Sequence, residues 1–184
     1  MRGADRGRKN IHASAFDKFN RLLWVCQLRF IFCNDNLIFH ATLMASAGDA
    51  AKKAIFYGQE KNGDTIRIAK MNLAVHGLEG KIAEAITYYQ DEHTLVGKCD
   101  FVMANPPFNV DEVDADKVKN DPRLPFGLPG VNKNEKVSNG NYLWISYFYS
   151  YLNETGRAGF VMSSQASSAG RDEAKVRRKL IETG

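Results

Sequence analysis

Four consecutive residues, Asn105-Pro106-Pro107-Phe108, have the types and order to work on an amino group conjugated to an aromatic ring, such as the 6-amino group of adenine. That nitrogen is a poor nucleophile because its lone pair is delocalised into the ring. Two acceptors, the Asn105 side-chain oxygen and the Pro106 carbonyl, can each take one amino hydrogen and favour a tetrahedral nitrogen. Two prolines fix the backbone so that the acceptors stand in place before a substrate arrives, where they stabilise charge that develops in the transition state. Phe108 offers a flat face to a base rotated out of a duplex, and stacking of this kind contributes on the order of 1–3 kcal/mol. The plainer alternative is a rigid turn closing a strand, since Asn-Pro starts turns readily. A second candidate is Glu60, an acid between a strand and a helix, suited to accept hydrogen bonds from the two hydroxyls of a ribose. Its plainer reading is a solvated carboxylate near a helix start.

These residues need elements to hold them. Ala54 to Glu60 is a short apolar run that reads as a buried strand, after which Asn62, Gly63 and Asp64 offer a helix cap. From Thr65 to Val75, Ile66, Ala69 and Leu73 share a helical face, and Gly77 closes the element. Asp100 to Ala104 is a second buried strand, stopped by the proline pair. Val110 to Asn141, rich in proline and glycine, is a long loop of the kind that is usually functional or disordered. Leu143, Tyr147 and Tyr151 recur at four-residue intervals, so Tyr142 to Leu152 is a helix packed on a sheet. Asn153 to Gly156 reads as a turn, Ala158 to Met162 as a third strand, Ser163 to Gly170 as a small-residue loop and Asp172 to Ile181 as a basic helix. Strands alternating with helices imply a mostly parallel sheet with flanking helices. Open α/β sheets place ligands beyond the carboxyl ends of their strands. That rule selects Glu60, Asn105 with its neighbours, and Ser163-Ser164.

The 184-residue chain is long enough for one domain with a hydrophobic core. A net charge of +4 permits a nucleic-acid partner without requiring one. The basic residues Arg171, Lys175, Arg177, Arg178 and Lys179 could meet phosphates, although a solvated helix face balanced by Asp172 and Glu173 is the favoured reading. Cys26, Cys33 and Cys99 form no Cys-x-x-Cys pair and no histidine cluster accompanies them, so reduced thiols and no metal site are expected. The apolar run Leu22 to Cys33 is interrupted by Arg29 and too short to span a bilayer. It argues neither for secretion nor for a membrane, and a cytoplasmic protein is expected. Whether Leu22 to Phe32 is a strand or a buried helix stays open, because the residues before Ala47 show no clean period.

From Ile55 onward the chain resembles the methylation subunit of type I restriction–modification enzymes, an adenine-specific DNA methyltransferase family. The resemblance is carried by Tyr57-Gly58-Gln59-Glu60, Ala69-Lys70-Met71-Asn72-Leu73, Phe101 to Phe108, Asn141-Tyr142-Leu143-Trp144-Ile145 and Gly156 to Val161. It covers roughly residues 51–184 and implies a Rossmann-like methyltransferase fold that uses S-adenosylmethionine. On that resemblance Asn105, Pro106, Pro107 and Phe108 match the catalytic motif, and Glu60 matches the acid that holds the cofactor ribose. The implied partners are double-stranded DNA and the specificity and restriction subunits of a type I complex.

The departures are specific. The family's first strand ends in a glycine-rich loop that approaches the cofactor's methionine end, and Phe32 to Asp49 contains no such loop. Only glycine lets a backbone come so close to a ligand, and Gly48 alone does not replace it. Ile86 stands where the family has a polar residue near the cofactor adenine. The family also continues beyond the position of Gly184 and carries a helical region ahead of the domain. Residues 1–46 are therefore expected to be an atypical segment, joined to a partial catalytic domain at 47–184. A sheet without its first strand would expose an apolar edge unless residues 22–32 pair there. Three readings stand: a partial Rossmann-like methyltransferase, inactive alone, in which the hold on S-adenosylmethionine is in doubt; a working methyltransferase that binds the cofactor by unusual means; or a non-catalytic module derived from one that binds DNA or a specificity subunit.

Overall fold

The computed structural model describes residues 10–12, 29–33 and 54–183. Six strands, β1 (Asn10–His12), β2 (Arg29–Cys33), β3 (Ile55–Glu60), β4 (Glu79–Glu84), β5 (Cys99–Ala104) and β6 (Leu152–Phe160), form one sheet in the order β1-β6-β5-β2-β3-β4. Every pairing is parallel. From β2 the chain builds outward through β3 and β4, then returns to the other side of β2 for β5 and β6. The order therefore reverses at β2, and the crevice beyond its carboxyl end is where such sheets take ligands.

Helix α1 (Gly63–Val75) starts where Asn62 accepts hydrogen bonds from the Asp64 and Thr65 amides, at 2.9 and 3.4 Å. It buries Ile66, Ala69 and Leu73 against β3 and β4. It ends at Gly77, whose φ of 63° is open to glycine at no steric cost. Strand β4 was not legible beforehand. Glu-Gly-Lys-Ile-Ala-Glu is an edge strand with one fully inward residue, Ile82, so it carries almost no apolar alternation. Gly80 sits under the Leu73 methyl groups, so an added Cβ there would make the Leu73 side chain shift.

On the second side of the sheet lies α3 (Asn141–Tyr151), in which all but one residue is buried. A helix apolar on every face must be covered on every face, and the segment between β5 and α3 does the covering. That segment is an ordered wrap. It contains the short helix α2 (Ala115–Val118) and antiparallel bridges Asp114–Lys136 and Val131–Val137, and it packs Val113, Val118, Leu124, Phe126 and Val137 into the core. Burying each large apolar side chain contributes about 1.5–3 kcal/mol, enough for a proline-rich loop to hold one conformation. The remaining helices are α4 (Gln165–Ser168) and α5 (Arg171–Glu182).

Two expectations need correction. The turn at Asn153 to Gly156 lies inside β6, where the pairing jumps from Cys99–Leu152 to Phe101–Arg157 and the extra residues bulge out. The polar residues do turn the chain, but the strand resumes. Ser163 to Gly170 is not wholly loop, since it contains α4. The alternatives for Leu22 to Phe32 resolve as strand at Arg29–Cys33, and that strand occupies the centre of the sheet. The remaining readings before residue 54 lie outside the described residues.

Candidate active site

Glu60 and Asn105 stand at the same level of the sheet on either side of β2. Cys33 is paired with Gln59 on β3 and with Ala104 on β5, and each candidate is the next residue along. Two strand spacings separate them, roughly 10 Å at the backbone, a gap that a nucleoside-sized ligand can bridge. A cleft of about 210 Å³ lies there, lined by Gln59, Glu60, Ile86, Tyr88, Pro107 and Trp144 among others. Lys61, Ala85 and Ile86 also line an adjoining hollow of about 720 Å³, together with Glu84 and Gln90.

Glu60 is half-buried, its Oε1 accepts the Asn62 amide at 2.9 Å, and its carbonyl accepts the Ala85 amide at 3.0 Å. The cap that starts α1 thus also orients the acid, because Asn62 serves both. Asn105 is exposed, and among the described residues its side-chain amide has no hydrogen-bond partner. The strand ladder persists to its doorstep, with the Ala104 carbonyl accepting the Val161 amide at 3.1 Å. Pro106 is buried, Pro107 is exposed, and Phe108 is 42% exposed. An asparagine bracing its own turn would be spent on the backbone, and this one is not.

Of the tetrapeptide only Pro107 lines the cleft, together with Ala85, Ile86, Thr87 and Tyr88, and the anchors of the segment 85–92 were missed in the sequence. Gln59, 5% exposed, donates to the Thr87 hydroxyl at 3.3 Å and the Gln90 carbonyl at 3.2 Å, and accepts the Glu92 amide at 2.7 Å. Arg123, 1% exposed, donates to the Thr87 and Gln90 carbonyls at 2.9 and 3.0 Å and to the Tyr151 hydroxyl at 3.1 Å. Its remaining donors clasp Asp121 at 2.6 to 3.2 Å, and the guanidinium lies 4.3 Å over the Tyr147 ring. Burial alone would raise the Asp121 carboxyl, but hydrogen bonds from Arg123 and its charge outweigh burial and hold it below the usual carboxylate range. Tyr147 donates to the Tyr88 carbonyl at 3.0 Å, and the Tyr88 hydroxyl accepts the Trp144 indole N–H at 2.7 Å. The only advance signal for Arg123 was a lone arginine among prolines in a segment expected to be loop. Ile86, the departure from the family pattern, is 47% exposed and lines both hollows, with its backbone amide donating to Gln90 Oε1 at 3.0 Å.

Ser163 and Ser164 are not among the residues lining the cleft. The Ser163 hydroxyl accepts the Gln165 amide and the Ser164 carbonyl accepts the Ser167 hydroxyl, so both serve the start of α4. On α5, Lys175 is paired with Asp172, while Arg177 and Lys179 donate to the Ala166 and Phe126 carbonyls. Those three charges are engaged with the chain itself, in keeping with the solvated-face reading. Cys99 is fully buried, its thiol 3.8 Å from the Leu95 carbonyl. Among the described residues no cluster of three metal-ligating side chains occurs, and no helix is long and apolar enough to cross a membrane.

Comparison with known proteins bears on the family and the fold. The chain is 42% identical over 130 residues to the type I restriction enzyme MjaIX methylase subunit of Methanocaldococcus jannaschii, covering 68% of this chain and 22% of that protein. It is 30% identical over 128 residues to the type I restriction enzyme HindI methylase subunit of Haemophilus influenzae, covering 68% of this chain and 27% of the relative. The chain thus spans about a quarter of the length of these relatives. Among solved structures, the methyltransferase subunit of a type I restriction–modification system from Streptococcus thermophilus superposes with a TM-score of 0.68 at 23% identity, over 85% of this chain and 34% of that one, a likeness of fold. The family model for N-6 DNA methylases matches residues 33–184. With that match over most of its length, the chain belongs to the N-6 DNA methylase family.

Proposed function

We propose that this chain carries the target-base side of an adenine-specific DNA methyltransferase of a type I restriction–modification system. The observation that supports this best is one cleft running from Glu60 to Pro107 across the switch point, with Asn105 exposed and unpartnered beside it. In this reading an adenine extruded from double-stranded DNA stacks on Phe108. Its amino hydrogens are accepted by the Asn105 Oδ1 and the Pro106 carbonyl. With its lone pair withdrawn from the ring, the nitrogen would be readied to take a methyl group that the cofactor would supply as the methyl–sulfur bond breaks and sulfur keeps the electron pair, and the surplus amino proton would leave to solvent. Both acceptors grow in value as the nitrogen becomes positive, so they lower the barrier more than they tighten binding.

The residues present fit the adenosine half of S-adenosylmethionine. Glu60 has Oε1 engaged by Asn62, leaving Oε2 for a ribose hydroxyl, and the cleft beside it is walled by Ile86. When bound, that cofactor supplies an electrophilic methyl group. In the family that the chain resembles, the cofactor's methionine end meets a glycine-rich loop, and the sequence from Phe32 to Asp49 has no such loop. We therefore infer that the chain does not methylate alone and works with double-stranded DNA and with specificity and restriction subunits, in the cytoplasm. Residues 1–46 remain in this proposal an atypical segment attached to a partial catalytic domain at 47–184, contributing β2 to its sheet.

Calorimetric titration with S-adenosylmethionine tests the cofactor part. A dissociation constant weaker than ~10 μM, about 7 kcal/mol, that weakens further in Glu60→Ala is expected. Tighter binding indifferent to Glu60→Ala refutes the assignment of Glu60.

A further inference from the structure

Three asparagines tie the catalytic tetrapeptide to the start of α3. Asn109, directly after Phe108, has a φ of 55°, a left-handed conformation that asparagine tolerates better than most residues. Its backbone amide donates to Asn141 Oδ1 at 2.9 Å, and its own Oδ1 accepts from Asn141 Nδ2 at 2.9 Å and from Asn139 Nδ2 at 3.3 Å. The Asn141 amide donates back to Asn139 Oδ1 at 2.9 Å, and the Gly140 amide donates to the Val110 carbonyl at 2.7 Å. Asn141 is only 1% exposed, on a helix whose neighbouring positions are Tyr142, Leu143 and Trp144. A buried amide with both ends paired is costly to disturb, because its loss strands both a donor and an acceptor. A bare turn needs no such anchor 32 residues away in the chain.

We propose that Asn141 is a positioning residue: acting through Asn109, it fixes the height and direction of the Asn105 and Pro106 acceptors at the target base. The proposal rests on the adenine-directed reading above. Prolines make the tetrapeptide stiff, but a stiff segment still pivots about its ends. At one end the β5 ladder holds Ala104, and at the other the paired amides hold Asn109. Removing the second hold leaves the acceptors intact in chemistry and undefined in place. Displacement of 1 Å is enough to spoil such a site.

The test uses the full chain and two labelled duplexes, with adenine or unsubstituted purine opposite an abasic site, where extrusion is cheap. Fluorescence anisotropy gives the ratio of affinities for adenine over purine, which reads the amino group alone and cancels phosphate contacts. Two accepted hydrogen bonds predict a ratio of about tenfold in the unaltered chain. Asn105→Ala and Asn141→Ala should both bring the ratio close to one while leaving affinity for the purine duplex unchanged. Asn141→Asp keeps an acceptor for the Asn109 amide, and an amide flip of Asn109 regains the second bond at the expense of the one from Asn139, so the ratio should recover in part. Hydrogen exchange at residues 106–110 should quicken by at least about tenfold in Asn141→Ala and recover in Asn141→Asp, with β3 and α1 unchanged. Should Asn141→Ala fail to fold, Asn109→Gly replaces it, since glycine keeps the left-handed φ and the amide but loses the side-chain acceptor. Its ratio should fall by at least half. A ratio lost in Asn105→Ala but kept in Asn141→Ala or Asn109→Gly overturns the positioning role alone. A ratio of one in the unaltered chain overturns the adenine-directed reading, and this inference with it.

Discussion

Replacing Arg123 by methionine should cost about 4 kcal/mol of folding stability. The figure follows from what the guanidinium holds. The Thr87 carbonyl, on a buried residue, loses its donor at about 1–3 kcal/mol, and the Gln90 carbonyl, which keeps its bond from Gln59, loses less. The face-on contact with Tyr147 at 4.3 Å adds about 1 kcal/mol. Asp121, with 12% of its side chain exposed, rehydrates in part and adds less, while the methionine recovers some apolar contact. The total lies within the 3–5 kcal/mol typical of breaking a buried pair on one side. It is a large share of the roughly 5–15 kcal/mol that keeps a domain folded. Urea unfolding followed by tryptophan fluorescence measures it, because Trp144 lies against Tyr88 in the wall that Arg123 secures. The acid limb offers an internal check. Asp121 has its folded pKa below the unfolded value, so its stabilisation is present above pH ~4 and lost as pH falls through the folded value. Arg123→Met should flatten that limb. A loss below about 1.5 kcal/mol, with the acid limb unchanged, would show that the segment 87–90 is held by something else and refute the reasoning.

Other perturbations address separate links. Gly156→Ala puts a Cβ 2.7 Å from the Cys99 carbonyl oxygen and should destabilise by about 2 kcal/mol, read as a lower urea midpoint. An unchanged midpoint would mean the β6 bulge is free to shift. Asn62→Ala removes the α1 cap and should cost about 1 kcal/mol in thermal unfolding; no loss would mean that other groups satisfy the first turn. Burial pushes the Tyr147 phenol well above its ordinary value near 10. Stability from the neutral phenol is full below pH ~10 and lost as pH rises through the folded value. Denaturant midpoints measured from pH 8 to 11.5 should fall at the alkaline end, and less steeply in Tyr147→Phe. Equal slopes in the two proteins would contradict the assignment.

Much of the fold could be read because its buried elements are locally consistent. The run at Ile55 to Glu60, the cap at Asn62, the face of Ile66, Ala69 and Leu73 and the stop at Gly77 all point to a strand followed by a helix, and that unit formed as read. Edge strand β4 was missed for a physical reason. Facing solvent on most of its length, it is built largely of Glu, Gly, Lys and Ala, and its backbone pairs with β3 while Leu73 packs over Gly80. The central strand β2 was ambiguous because an apolar run without a period suits a strand and a buried helix alike. Its choice is made by the neighbours β3 and β5, which sequence inspection cannot see. The turn at Asn153 to Gly156 shows the reverse failure, where correct local chemistry was overruled by a ladder that resumes at Arg157.

The site divides along the same line. The residues proposed to touch ligand, Glu60 and Asn105 to Phe108, could be nominated from the sequence because their chemistry is carried by residue type and by position after a strand. Residues that hold those groups could not, because Gln59, Arg123 and Asn141 act through partners 28 to 36 residues away. A buried arginine and two buried amides are expensive unless every bond is made, so their presence argues that the cleft wall and the tetrapeptide must each hold one geometry. That demand is stronger than folding alone imposes, since hydrophobic side chains of similar volume would stabilise the same contacts at less risk. The two anchors also come from the same wrap and helix: Arg123 clasps the wall at 87–90 and Asn141 clasps the tetrapeptide. A displacement of α3 against the sheet would therefore shift the segment 87–90 and the Asn109 end of the tetrapeptide together, while Glu60 stays with β3.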